Sequence, residues 1–198
     1  MTWKQAQEYV HSLARGVHTL GMMEDITVMT DTWKFMGIYG KNKPEWVLMD
    51  LACAHLGGTS VAFYDTLGPA AIEFVIQQTE LTSITCGSQY LSQLIMLKNQ
   101  GKANSLKFLI SMENYDISIE EDGKEAGLRI MHINEVVELG RKHSKIDLEQ
   151  FYPKPDDIYM FCYTSGTTGD PKAAMLSHKN ILSACSSVLS VGGVDIGE

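Results

Sequence analysis

The sequence predicts an α/β protein, with a mostly parallel sheet covered by helices on both faces. Three observations predict it. Short apolar, often β-branched runs recur between stretches whose apolar residues follow helical spacing. Those helical stretches are about ten residues long, which suits crossover connections rather than hairpins. Glycine or proline marks the changes of period, at Gly21, Pro44, Gly57, Gly58 and Pro69. The 198 residues suffice for one substantial core, or one core with a small satellite.

The chain opens on a helical stripe of Trp3, Ala6, Val10, Leu13, Val17 and Leu20. Thr2 and Gln5 form a capping box before it, and Gly21 supplies a left-handed stop after it. KFMGIYG (34–40) reads as a buried strand. A helix begins at Pro44 and runs through Trp46, Val47, Leu51 and Ala54. A strand over 59–64, a helix over 69–79 with Ile72, Val75 and Ile76 facing inward, and a strand over 82–86 follow. A helix over 90–98 and a strand over 105–111 continue the alternation. The acidic, glycine-containing run 113–128 reads as a solvated surface loop. A short strand over 129–133, a helix capped by Asn134, and a polar stretch lead to the strand IYMFCYT (158–164).

The 24 acidic residues outnumber 16 basic ones, for a formal charge of -8, which argues against a nucleic-acid partner. Cys53, Cys86, Cys162 and Cys185 are widely spread and read as buried reduced thiols, which suits a reducing compartment. No apolar stretch approaches the roughly 20 residues of a membrane span, and the N-terminus carries no signal-peptide core. Neither the histidines nor the cysteines show a metal-ligand spacing.

The chemistry concentrates after Thr164. Ser165, Gly166, Thr167, Thr168, Gly169, Asp170, Pro171 and Lys172 form a polar stretch between two apolar segments, both read as strands. The glycines allow tight turning and close approach to a ligand. Successive backbone amides can form an anion-binding concavity. Three hydroxyls add donors without bulk, and Lys172 adds a full positive charge. This is not a Walker A loop: Pro171 forbids a helix running through the lysine. Nor is Ser165 a hydrolase elbow, because Tyr163 stands where that motif needs glycine. The bland alternative, a flexible hairpin turn, accounts poorly for so many hydroxyls and a terminal lysine.

The run YTSGTTGDPK (163–172) resembles the phosphate-binding signature of adenylate-forming enzymes, a superfamily that includes acyl-CoA synthetases and luciferases. NKPEWVLMDLAC (42–53), FYDTLGPAAIEFVI (63–76) and AAMLSHKN (173–180) narrow the resemblance to long-chain fatty acyl-CoA synthetases. The resemblance implies that residues 1–198 are part of a large N-terminal AMP-binding domain, truncated at both ends relative to the family and lacking its lid. It implies a fatty acid:CoA ligase using ATP, Mg2+ and coenzyme A through an acyl-adenylate. Thr164, Ser165, Gly166, Thr167, Thr168, Gly169 and Lys172 would hold the nucleotide, and Thr164 would also contribute to the magnesium shell. No catalytic residue is assigned within these residues.

The implied partners are ATP and fatty acid, with membrane association through segments outside the sequence. The implied location is intracellular, at the endoplasmic reticulum, the mitochondrial outer membrane or peroxisomes. A partner chain or the remaining C-terminal part is expected to be needed for stability, because a partial sheet leaves an open edge and apolar faces. The alternative is a truncated synthetase-like subunit with a structural or nucleotide-binding role. Ala173 departs from the family's glycine. His178 reads as a helix-terminal or packed histidine, and Trp46 and the 64–69 turn as structural.

Overall fold

The computed structural model describes residues 1–28, 30–64, 67–164 and 171–190. In chain order its elements are α1 (Trp3–Thr19), β1 (Ile26–Val28), β2 (Asp31–Trp33), β3 (Phe35–Tyr39), α2 (Pro44–His55), β4 (Thr59–Phe63), α3 (Pro69–Thr79) and β5 (Ser83–Cys86). Then come α4 (Leu91–Asn99), β6 (Phe108–Ser111), α5 (Ile117–Glu125), β7 (Arg129–His132), α6 (Ile133–Lys142), β8 (Ile158–Thr164), β9 (Lys172–Ser177) and α7 (His178–Ser190).

Among the described residues, seven strands form one sheet in the order β7-β6-β5-β3-β4-β8-β9. Every pair is parallel except β8 with β9, which are antiparallel. The chain first builds outward from β3 to β4, then returns past β3 to lay down β5, β6 and β7. It then crosses the whole sheet to place β8 beside β4. Side-chain alternation divides the core in two. Met36 and Ile38 of β3 face α1, α2 and α6; Phe35 and Tyr39 face α3 and α4. Gly37, between them, is required by closeness, because a Cβ there would meet Ile84 Cγ1 at 2.8 Å.

The capping box of Thr2 and Gln5 forms as the sequence implies, with Gln5 N–H donating to Thr2 Oγ1 and Thr2 N–H to Gln5 Oε1. Val10, Leu13 and Val17 are buried, but Trp3 at the head of the stripe is 81% exposed because the helix overhangs its partners there. Helix α2 is apolar nearly all round, and its buried residues are Leu48, Met49, Asp50, Ala52 and Cys53, leaving Val47 and Leu51 exposed.

Three expectations are corrected. The acidic run 113–128 contains helix α5, whose N-cap Asp116 accepts from Ser118 N–H; Ile119 and Ala126 seat it against the α3–α4 core. Helix α6 is capped by His132, not Asn134: His132 Nδ1 accepts from Asn134 N–H and Glu135 reaches back to His132 N–H. The thiols are not uniformly buried: Cys53 and Cys86 are, Cys162 is half-buried, and Cys185 is exposed on α7. The hairpin of β1 and β2 was not anticipated; Ile26, Val28 and Trp33 attach it to the α3–α4 core. Among the described residues, no helix is long and apolar enough to cross a membrane.

Candidate functional site

Strands β8 and β9 form the two arms that flank the glycine-rich segment. Phe161 and Tyr163 of β8 point into the α3–α4 core. Phe161 meets Phe35 and Trp33 edge-on, at 5.1 Å from each. Tyr163 is 1% exposed and its hydroxyl donates to Gln78 Oε1 at 2.6 Å. Burial pushes the Tyr163 phenol up to about 12, so it stays a neutral donor. That buried tyrosine anchors the strand one residue before the segment begins.

Thr164 and Lys172 are direct cross-strand partners at the open end of the ribbon. Thr164 Oγ1 donates to the Lys172 carbonyl at 3.3 Å, and both residues are solvent-exposed. The structure therefore brings the first and last of the expected nucleotide contacts together. Ser165, Gly166, Thr167, Thr168 and Gly169 lie outside the described residues. Ala173 is half-buried against the α3–α4 core beneath Lys172, where its methyl packs. Beside the same end, the Tyr64 hydroxyl and Cys162 Sγ are 2.8 Å apart. That hydrogen bond, with a smaller effect of burial, raises the Tyr64 phenol above its ordinary value.

At the opposite end of the ribbon lies a polar cluster that the sequence reading passed over. Asp50 of α2 is 7% exposed and accepts hydrogen bonds from Ser60 Oγ at 2.7 Å and from the Tyr159 hydroxyl. Burial raises the Asp50 carboxyl, and the two hydroxyls pull it partly back. Burial, with the Asp50 charge beside it, also drives the Tyr159 phenol far up. The Tyr159 ring meets His178 edge-on at 5.0 Å. Burial lowers the His178 imidazole, Asp157 opposing, and its Nε2 has no hydrogen-bond partner among the described residues. The signal that could have found this cluster is a single aspartate inside the apolar helix PEWVLMDLACAH.

Among the described residues, no three His, Cys, Asp or Glu side chains converge as a metal site. The donor set at the open end is instead hydroxyl and ammonium. That set fits a magnesium ion carried by substrate phosphates and completed by a hard oxygen ligand such as Thr164 Oγ1.

The AMP-binding enzyme family model matches residues 1–195. The chain is 36% identical over 151 residues to long-chain-fatty-acid-CoA ligase 5 of Mus musculus, which covers 76% of this chain and 22% of that protein. It is 32% identical over 193 residues to ligase 6 of Rattus norvegicus, covering 96% of this chain and 26% of that one. The chain thus spans about a quarter, or less, of the length of these curated relatives. Among solved structures, the adenylation domain of a carboxylate reductase from Mycobacterium chelonae superposes with a TM-score of 0.73 at 17% identity. It covers 90% of this chain and 28% of that one. With the parallel sheet, the ordered ribbon and the family match in agreement, the chain belongs to the AMP-binding enzyme family.

Proposed function

We propose that this chain supplies the polyphosphate-gripping part of a long-chain fatty acid:CoA ligase. The observation that carries the reading is the pairing of Thr164 with Lys172 across the two arms of the segment TSGTTGDPK. An exposed hydroxyl and a lysine ammonium face the same opening, beside glycine-rich backbone suited to anions. The long-chain ligases that the chain resembles support the substrate class.

In the reaction proposed for the whole protein, a fatty acid carboxylate oxygen attacks the α-phosphorus of ATP. The bond to the bridging oxygen breaks, pyrophosphate departs, and an acyl-adenylate remains. The coenzyme A thiol then attacks the acyl carbon, loses its proton, and expels AMP. The residues of this chain act in the first step. Lys172 holds negative charge that grows on the leaving pyrophosphate, and Thr164 orients the phosphates at the mouth. Bound magnesium supplies further charge neutralisation there. Ser165, Gly166, Thr167, Thr168 and Gly169 complete the grip. On this reading the full protein works inside the cell, at an organelle membrane reached through segments other than these.

A second reading has one observation in its favour. Met175 of β9 and Leu182 and Val188 of α7 are exposed, which suits a subunit docked on a partner chain or on further parts of its own domain. ATP titration by calorimetry, with and without Mg2+, separates the two. The ligase reading expects ATP binding that Lys172→Ala weakens by about 1.5–3 kcal/mol, the value of a charge-assisted hydrogen bond. Equal affinity in both proteins would remove Lys172 from the site, and no ATP binding at all would favour the docking role.

A further inference from the structure

We propose that Tyr159, anchored by Asp50, is a positioning residue that fixes the register of the β8–β9 ribbon and so sets Lys172 opposite Thr164. The consequence for nucleotide rests on the reading given above; the register itself does not.

The ribbon is irregular at one place. Ile158 faces Ser177, but Met160 faces Leu176, so Tyr159 is the extra residue of a β-bulge. Strict alternation from Tyr163 and Phe161 would send Tyr159 into the α3–α4 core with them. The bulge turns it instead toward α2, where its hydroxyl reaches the buried Asp50 carboxylate. Asp50 is shared with Ser60 Oγ at 2.7 Å, and straightening the strand would leave this buried acid with one hydroxyl fewer. The same ring rests edge-on against His178, the residue directly after β9, so one side chain touches both strands' boundaries.

The end of the ribbon below the bulge is held independently. Thr59 Oγ1 donates to the Ile158 carbonyl at 2.7 Å. His178 N–H donates to the Asp157 carbonyl at 3.0 Å, and Lys179 N–H to that of Pro155 at 2.8 Å. Loss of the bulge is therefore expressed at the other end. With Ile158 still facing Ser177, an unbulged ribbon places Cys162 opposite Ala173 and Lys172 opposite Tyr163. Because faces alternate, that slip carries the lysine to the side on which Tyr163 is buried, away from Thr164. One hydroxyl-to-carboxylate contact at the base of the ribbon thus decides which way the ammonium points at its mouth.

Native Cys162 reads the register directly, since its partner is Ala174. In a Cys185→Ser background of the full protein, Ala174→Cys and Ala173→Cys are each oxidised, and the disulfide to Cys162 is scored by peptide mass mapping. The expected result is bridging through the 174 position in the parent. Adding Tyr159→Phe moves bridging toward the 173 position, Asp50→Leu does the same, and Asp50→Asn, which keeps an acceptor, restores the parent pattern. Bridging confined to the 174 position in both Tyr159→Phe and Asp50→Leu overturns the proposal. If Tyr159→Phe does not fold, Asp50→Leu against Asp50→Asn decides it alone. ATP affinity measured on the slipped variants falls by about ten- to a hundredfold, as for loss of the Lys172 contact itself. A shifted register with unchanged ATP affinity would keep the register pin and remove Lys172 from the nucleotide site.

Discussion

Gly140 of α6 crosses α1 so closely that a Cβ added to it would lie 1.7 Å from the Ser12 carbonyl oxygen. Gly16 of α1 is pressed from the other side, where a Cβ would lie 2.0 Å from the Val136 carbonyl oxygen. Both clashes are with backbone, which cannot swing aside as a flexible side chain can. Helix α1, the first element of the chain, is therefore clamped to α6 at a distance only glycine permits.

Gly140→Ala is expected to force the two helices apart and destabilise the protein by about 1–3 kcal/mol, the usual cost of overpacking. Gly16→Ala is expected to do the same. Urea unfolding midpoints measure the effect. A midpoint equal to that of the parent would mean that the helices approach less closely in solution.

A second prediction concerns acid. His11 of α1 and His55 of α2 meet edge-on with ring centroids 4.8 Å apart. Burial lowers both imidazoles from the ordinary 6.5, helped at His11 by Arg15 and at His55 by His11. Burial also lowers His178. A histidine with a depressed folded-state value binds fewer protons than the unfolded chain, so its stabilisation is present above the ordinary value and fades as pH falls below it. Melting temperature should therefore drop on acidification below about pH 6.5, starting from the unfolded-state histidine value. His55→Phe should make that slope shallower, and an unaltered slope would assign the acid sensitivity elsewhere.

Thiol chemistry offers a third test. Cys185 is exposed, Cys162 is half-buried beside Tyr64, and Cys53 and Cys86 are buried, with burial raising the latter two thiols well above their ordinary range. Iodoacetamide labelling of the native protein should modify Cys185 first and Cys162 more slowly. Cys53 and Cys86 should react only after denaturation. Early labelling of Cys86 would contradict the closed sheet between α3, α4 and β5.

The fold was legible because its signals are local. Runs such as TSVAF and the proline starts at Pro44 and Pro69 announce β4, α2 and α3 without reference to anything distant. Helix α5 was missed because few of its side chains reach the core, chiefly Ile119, so its composition reads as surface. The cap at His132 was misassigned by two residues because a histidine nitrogen can fill the N-cap role usually given to asparagine, here accepting the N–H of Asn134 itself. At the candidate site, residue types point to a phosphate-binding segment, of which the structure describes the flanking Thr164 and Lys172. Asp50 inside an apolar helix signals a buried acid, but its partner Tyr159 lies far along the chain, and no local pattern names that partner or the bulge that delivers it.

The placement of β8 beside β4, after β7 has been added at the opposite edge, has a consequence for synthesis. Strands β3 to β7 all leave the ribosome before β8 does. A growing chain can therefore assemble a five-stranded sheet whose β4 edge, buried in the finished protein, stands open until residues 158–164 arrive. Among the described strands, the β8–β9 ribbon is laid down last, and it covers the β4 edge on which another nascent chain could otherwise pair. A stall in translation between β7 and β8 would hold the protein at its most adhesive stage, before it has acquired any of the residues proposed to grip ATP.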